Sequence, residues 1–299
     1  MPRTILMPSS PWFVRSSFSL TRAIGATSSP FTGKFRTQEY DAVYWSGSVS
    51  LPPMNRSQAA EWQAFLLELK GTTNYFKFVD PDGKTPQGTY DGSVLLGDIR
   101  VNSGTNVTSA TLSFSGTTIT AVASGTPFSG VSTNDYITVS GATNEANAGT
   151  FKILTKLSST AVTVDADLTT EASVTGCKIR QNVKGSTALS LSTNGNTSTG
   201  TIKKGDYLAI YDGGSATVSS PIQLVMVTAD AVETNNAGAK NFYSVAIQPK
   251  LRQDLADNHV VGFSTSFNRS RFRLAQNSVD WDSNHVSTYG VSFDFIEVS

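Results

Sequence analysis

LPPMNRSQAAEWQAFLLELKG, residues 51–71, is the one stretch of this sequence that reads convincingly as a helix. Trp62, Phe65, Leu66 and Leu69 fall at i, i+3, i+4 and i+7, so a helix here carries a stripe of large apolar groups that has to be covered. Both ends are marked. Asn55 is an N-cap with Gln58 three residues on, Pro52 and Pro53 stop the segment before it, and Gly71 stands where a left-handed C-cap belongs. A single amphipathic helix early in a chain of strands and turns predicts a sheet with one face covered by that helix.

Upstream, FTGKFRTQEYDAVYWSGSVSL (31–51) is rich in aromatic and β-branched residues and predicts two strands joined by a turn near residues 39–41, with Trp45 as a packing candidate. Downstream, Tyr75, Phe76, Phe78 and Val79 make a short apolar strand that stops at the turn Asp80-Pro81-Asp82-Gly83. The expected order is strand, strand, helix, strand. From about residue 104 the composition shifts to short alternating runs such as TITAV (118–122) and AVTV (161–164), which describe a small β-barrel or sandwich over 104–182. Residues 186–202, rich in Ser, Thr, Asn and Gly, read as an exposed hairpin or loop. Strong strands return at 206–211, 222–227, 242–247 and 291–298, and 271–274 and 291–295 are long enough to pair back with the N-terminal strands. The expected fold is therefore mainly β. It has a β-sandwich or split-barrel core with one amphipathic helix, built from 1–103 (helix 55–70) and 183–299 and interrupted by an inserted small β-barrel or sandwich domain at 104–182. One internal echo, NDYITV (134–139) against GDYLAI (205–210), is explained more simply by shared turn chemistry than by a repeat.

Lys plus Arg (23) balances Asp plus Glu (23), so no overall field draws nucleic acid or an anionic membrane, and no specific nucleic-acid partner is expected. No apolar run is long enough for a signal peptide or a membrane span, which points to folding in a cytoplasm and no membrane insertion. Cys177 is the sole cysteine, leaving no internal disulfide or multi-cysteine metal site, and it reads as a small core residue beside Val174 and Ile179.

Groups able to do chemistry are few. His259 and His285 are the only imidazoles, and Asp257 near His259 lets a Ser/His/Asp set be drawn, without a Gly-x-Ser-x-Gly elbow to support it. Asp80 and Asp82 read as calcium ligands or as an Asx turn, and the missing EF-hand spacing favours the turn. Asp280 and Asp282 flank Trp281, which fits sugar stacking or, more simply, a strand-end turn around a buried indole. A glycan hydrolase would have to draw on Asp280, Asp282 or Asp257. Phosphate-loop and dinucleotide fingerprints are absent, so no catalytic, cofactor-binding or metal residue is assigned. Arg269, Arg271 and Arg273 alternate along a strand with Phe267 and Phe272 nearby, which suits a nucleic-acid contact or, more simply, intersubunit pairing with carboxylates.

Ser29-Pro30-Phe31-Thr32-Gly33, Tyr44-Trp45, Leu51-Pro52-Pro53-Met54-Asn55-Arg56, AEWQAFL (60–66), Gly71 and Asp80-Pro81 resemble landmarks of the tail proteins of long-tailed bacteriophages, in particular distal tail proteins. Lys204-Gly205-Asp206-Tyr207, QPKLR (248–252) and RFRLA (271–275) extend the resemblance, which skips the Ser/Thr-rich insert. It implies a non-enzymatic virion protein without cofactor, assembled in the host cytoplasm and located in the tail. Its subunits would form a ring, expected to be hexameric, that joins the tail tube protein to the tail hub or tip protein of the baseplate around a channel for the genome. Near-zero net charge suits such a channel. The alternative makes the chain a tail-associated adhesion protein that binds a host-surface glycan through the insert, whose few aromatics are Phe114, Phe128, Tyr136 and Phe151. Packing and assembly candidates are Trp45, Trp62, Phe65, Leu66, Leu69, Arg269, Arg271 and Arg273. The helix should bury Trp62 to Leu69 in its own subunit and leave Arg56, Gln63 and Lys70 to neighbours or solvent.

Overall fold

A computed structural model describes residues 2–89, 99–101, 106–123, 125–193, 200–212, 221–236, 240–257, 259–263, 269–283 and 288–298. The chain is mainly β, with curled half-barrel sheets and one α-helix among the described residues. It divides into two compact units, Met1–Lys84 with Arg269–Ser299, and Thr85–Asn268. In chain order the first unit supplies β1 (Thr4–Ile5), β2 (Arg15–Ser28), β3 (Phe35–Ser50), α1 (Arg56–Leu69) and β4 (Tyr75–Phe78). The second unit runs from β5 (Ile99–Val101) to β15 (Val261–Gly262), and the chain then returns to the first with β16 (Ser270–Leu274), β17 (Trp281–Ser283) and β18 (Tyr289–Glu297).

The sheet of the first unit has the order β1-β4-β16-β18-β3-β2, with β17 added beside β18. The C-terminal strands thus pair back between β4 and β3. Register sets the faces: Phe272 lies opposite Phe76, Leu274 opposite Phe295, and Phe293 opposite Val49. That side is a layer of rings, with Phe78 and Phe295 centroids 4.6 Å apart and Phe272 and Phe295 5.2 Å apart. Helix α1 covers it. Trp62, Phe65, Leu66 and Leu69 are all buried, and Phe65 meets Phe76 edge-on at 5.7 Å while Trp62 meets Phe293 at 6.3 Å. Such aromatic pairs add about 0.5–1.5 kcal/mol each beyond the area they bury. Gly47 is required here because a Cβ would come within 2.7 Å of the Phe295 ring. Glu297, buried at the end of the ring layer, accepts from Ser270 Oγ at 3.0 Å and from the Trp45 N–H at 3.4 Å, which offsets its desolvation.

The helix ends are built as their residues dictate. Asn55 Oδ1 accepts from the Gln58 N–H at 3.0 Å, and Gln58 Oε1 accepts from the Asn55 N–H at 3.4 Å, a complete capping box. At the other end the left-handed turn begins one residue before the expected glycine, with Lys70 at φ 50° and Gly71 at φ 63°. The hairpin turn differs more. Instead of turning near residues 39–41, β3 runs straight through them, and the chain reverses at residues 29–34. Ser29 and Lys34 close this loop: Ser29 donates to Lys34 O, Gly33 donates back to Ser29 O, both at 2.9 Å, and Thr32 N–H reaches Ser29 Oγ at 3.3 Å. Pro30 and a left-handed Gly33 suit that reversal, whereas Glu39 is an ordinary strand residue held across the ribbon by Arg22 at 2.9 Å.

The second unit contains two sheets. β6 (Asn106–Ala121), β7 (Tyr136–Ser140), β8 (Gly149–Lys156) and β9 (Ala161–Arg180) form one, in the order β6-β9-β7-β8 with β9 also reaching β8. Its core, with Phe114, Ile119, Phe128, Ile153, Val162 and Cys177, is its own. β10 (Ala188–Thr193), β11 (Tyr207–Tyr211), β12 (Pro221–Val227), β13 (Val232–Asn236) and β14 (Lys240–Gln248) build the other, in the order β15-β11-β12-β14-β10-β5 with β13 on β14. Strands β10 to β15, expected with the strands of the chain ends, thus pair among themselves and with β5, around a core that includes Leu191, Leu208, Ile210 and Val225. The exposed loop expected at 186–202 is replaced at 188–193 by a strand buried at every position. Ser190 tolerates burial because its polar groups are satisfied: Gln181 Nε2 donates to Ser190 Oγ, and Asn182 bonds both the N–H and the carbonyl of Ser190.

The internal echo is a repeated turn, bond for bond. Asp135 and Asp206 are both buried, and each follows a left-handed residue, Asn134 at φ 72° or Gly205 at φ 95°. Each carboxylate accepts from the N–H three residues back, Ser132 at 2.8 Å and Lys203 at 2.7 Å. Each turn then locks onto the next strand through a pair of backbone bonds of 2.8 Å, Asn134 and Asp135 with Ile153, Gly205 and Asp206 with Val227. The side chain is acting as a surrogate turn carbonyl in both sheets.

Candidate functional site

Trp45, Trp62, Phe65, Leu66 and Leu69 all lie inside the first unit, none more than 4% exposed. Trp45 stacks on Phe18 with centroids 5.1 Å apart and an interplanar angle of 19°. These five shape the sheet and offer no surface to a partner. What the first unit offers a neighbour comes instead from the other face of the sheet, from its edges and from the segments that leave it.

That other face is polar. Ser17, Ser19 and Thr21 on β2, Ser46, Ser48 and Ser50 on β3, and Ser292 and Asp294 on β18 share it, as the pairings Ser17↔Ser48 and Asp294↔Ser48 require. Ser46 Oγ lies 2.9 Å from Thr21 Oγ1 and 3.1 Å from Ser19 Oγ, so the stripe is cross-linked by hydroxyls. At its far side Arg271 and Arg273 alternate with the buried Phe272, Arg271 pairs with Lys77, and its guanidinium sits 5.6 Å from the centre of the Tyr75 ring. Arg269 precedes the strand and lines a cavity of about 280 Å³ with Lys77, Lys84 and Trp12. Arg271 and Arg273 thus share a strand face, and Arg269 lies just before the strand, beside the Lys77 that pairs with Arg271. The hydroxyl stripe has a readable signal, the alternation in RSSFSLT (15–21) and WSGSVS (45–50), that a search for catalytic groups passes over.

The moved turn creates a second feature. β2 and β3 pair from Arg15↔Ser50 out to Ser28↔Phe35, but β18 pairs with β3 only over Ser46 to Ser50. The outer half of this hairpin is a two-stranded ribbon. Residues 31–40 are all exposed, including Phe31 at 95%, Phe35 at 66% and Tyr40 at 51%, with Ile24 opposite at 54%. Two strands alone are marginal in water, and large rings standing in solvent on them are unusual for a surface with no partner.

Near β17 and β18 a cavity of about 380 Å³ is lined by Leu51, Val279, Trp281 and Val291, with Asp280, Asp282 and Asp294 also on its walls. The indole expected to be buried here is 40% exposed, because β17 is an outer strand whose three residues are all uncovered. An aromatic wall beside carboxylates suits a cation-flanked apolar group.

The remaining candidates resolve simply. Asp80 Oδ1 accepts from the Asp82 N–H at 3.2 Å, an Asx turn. Asp212, not a near neighbour in sequence, faces His259, with Oδ1 3.9 Å from Nε2. Asp257 is exposed on the second unit, and His285 lies outside the described residues. Cys177 is buried with its Sγ 3.6 Å from the carbonyls of Gly141 and Val174, and burial raises its thiol above the ordinary range. Among the described residues no three His, Cys, Asp or Glu side chains converge as metal ligands, and no helix is long and apolar enough to cross a membrane. Set against known protein families and curated protein sequences, the chain matches none.

Proposed function

We propose that this protein is a structural subunit of a phage tail, of the distal-tail type, that forms a ring between the tail tube and the tip or baseplate hub and leaves a channel for the genome. The observation that carries this reading is the β2–β3 ribbon, which holds Phe31, Phe35 and Tyr40 out in water where only a neighbouring molecule would cover them. The sequence landmarks on α1 and the Asp80-Pro81 turn support it by resemblance. A ring needs two different complementary surfaces per subunit, and this reading takes the ribbon and the Trp281 cavity as those surfaces.

Electron microscopy of the purified full-length chain, alone and mixed with the tail tube and hub proteins of the same phage, tests the proposal. Closed rings that cap tube ends are the expected result. A chain that stays monomeric and ignores both tube and hub proteins overturns it. The glycan-binding alternative draws little support from the insert, since Phe114, Phe128 and Phe151 are buried in its core and Tyr136 is half-buried.

A further inference from the structure

We propose that the tip of the β2–β3 ribbon docks into the Trp281 cavity of a second copy of this chain. The inference rests on the assembly role proposed above and names the surfaces that role uses.

The two surfaces match in charge and in apolar character. The tip presents Phe31, 95% exposed, with Lys34 and Arg36 following it on the same exposed segment. The cavity, about 380 Å³, is lined by the apolar Leu51 and Val291, by Trp281, and by Asp280, Asp282 and Asp294. An aromatic anchor that enters a desolvated pocket, with cations meeting carboxylates around it, is the arrangement that concentrates binding energy and fixes orientation. A chain cannot satisfy its own pocket in this fold, because Phe31 and the 40% exposed Trp281 both stand uncovered in the single copy. The contact joins two different patches and is therefore heterologous. Repeated around an axis, it closes a ring; repeated along one, it makes a filament.

Two full-length variants test this contact by complementation. Phe31→Asp disables the tip, and the pair Asp280→Lys with Asp282→Lys disables the cavity; all three positions are exposed, so the fold tolerates the changes. In sedimentation velocity the unmodified chain should self-associate, more weakly as salt rises. Each variant alone should associate at least about thirtyfold more weakly, the loss expected of a buried aromatic or charged anchor. Mixed in equal amounts, the variants should form a 1:1 dimer and stop, since only one working tip and one working cavity remain between them. If either variant assembles like the unmodified chain, or if the mixture stays monomeric, the contact is wrong while a ring built on other surfaces stands. An unmodified chain that is monomeric at every concentration overturns the contact too, and if it also ignores the tube protein, the proposed function falls with it.

Discussion

Asp135 and Asp206 show how one side chain can specify a turn in two sheets, and they differ in their further neighbours. Asp206 also accepts the Gln87 N–H, whereas Asp135 has a Gln181 side chain near it and Lys156 further off. Burial pushes the Asp135 carboxyl up to about 6, against the opposing pull of the Ser132 N–H, Gln181 and Lys156. A folded-state value above the unfolded one means that the ionised form is disfavoured by folding. The resulting stability is fully present below about pH 4 and is lost as pH rises through about 6. Asp135→Asn keeps an oxygen for the Ser132 N–H and removes the titration. Between pH 4 and pH 7.5 the difference in unfolding free energy should therefore shift in favour of the variant, by about 3 kcal/mol at most. Urea unfolding of both proteins, followed by far-UV circular dichroism, checks this. Asp230, whose carboxyl is held low by Lys203 and so titrates with the opposite sign, is common to both and cancels. A difference that does not vary with pH would show that Asp135 is not the titrating group.

At the scale of elements, α1 is legible to within a residue because every signal it needs is local: the Asn55–Gln58 box, the Trp62 to Leu69 stripe and the glycine that follows the left-handed Lys70. The same stripe allows a prediction. Trp62→Ala should cost about 3–5 kcal/mol, since a side chain with no exposed surface leaves a cavity in the ring layer. Asn55→Ala should cost about 1 kcal/mol through the lost cap, and Leu67→Ala, at a position 61% exposed, should be near neutral. Denaturant midpoints rank the three, and a Leu67 variant as damaging as the Trp62 variant would put the helix on the wrong face. The ribbon was less legible. A turn reads from sequence by its polar residues, and Glu39–Asp41 offers as many of those as Ser29–Gly33 does; what decides is the pair of bonds from Ser29 N–H to Lys34 O and from Gly33 N–H to Ser29 O, which only the closed hairpin makes. β10 was missed for a related reason. Ser190 looks solvated until Gln181 and Asn182 are brought beside the strand to bond it.

For the whole molecule the informative pairing is Ser270 with Phe78. β4 ends and β16 begins directly across from each other, so the entire second unit occupies what is otherwise a connection between two adjacent antiparallel strands. The sequence marks only part of that insertion, because composition changes at the Ser/Thr-rich sheet of 106–180, while β10 to β15 share the Val, Ile, Leu and Tyr vocabulary of the chain ends. A chain inserted between neighbouring strands can be removed without stretching either. Residues 1–84 joined to 269–299 by a short Gly/Asn linker should therefore keep the seven-stranded sheet and its helix, and residues 85–268 alone should fold around their own two cores. Tryptophan fluorescence separates the units cleanly, since Trp12, Trp45, Trp62 and Trp281 all belong to the first. In the excised protein the tryptophan transition should keep the denaturant midpoint it has in the full chain. The dichroism of the full chain should equal the sum of the two pieces. A first unit that binds hydrophobic dye and melts without cooperativity after the excision would mean that the inserted unit holds the ring layer together, and that the two units fold as one.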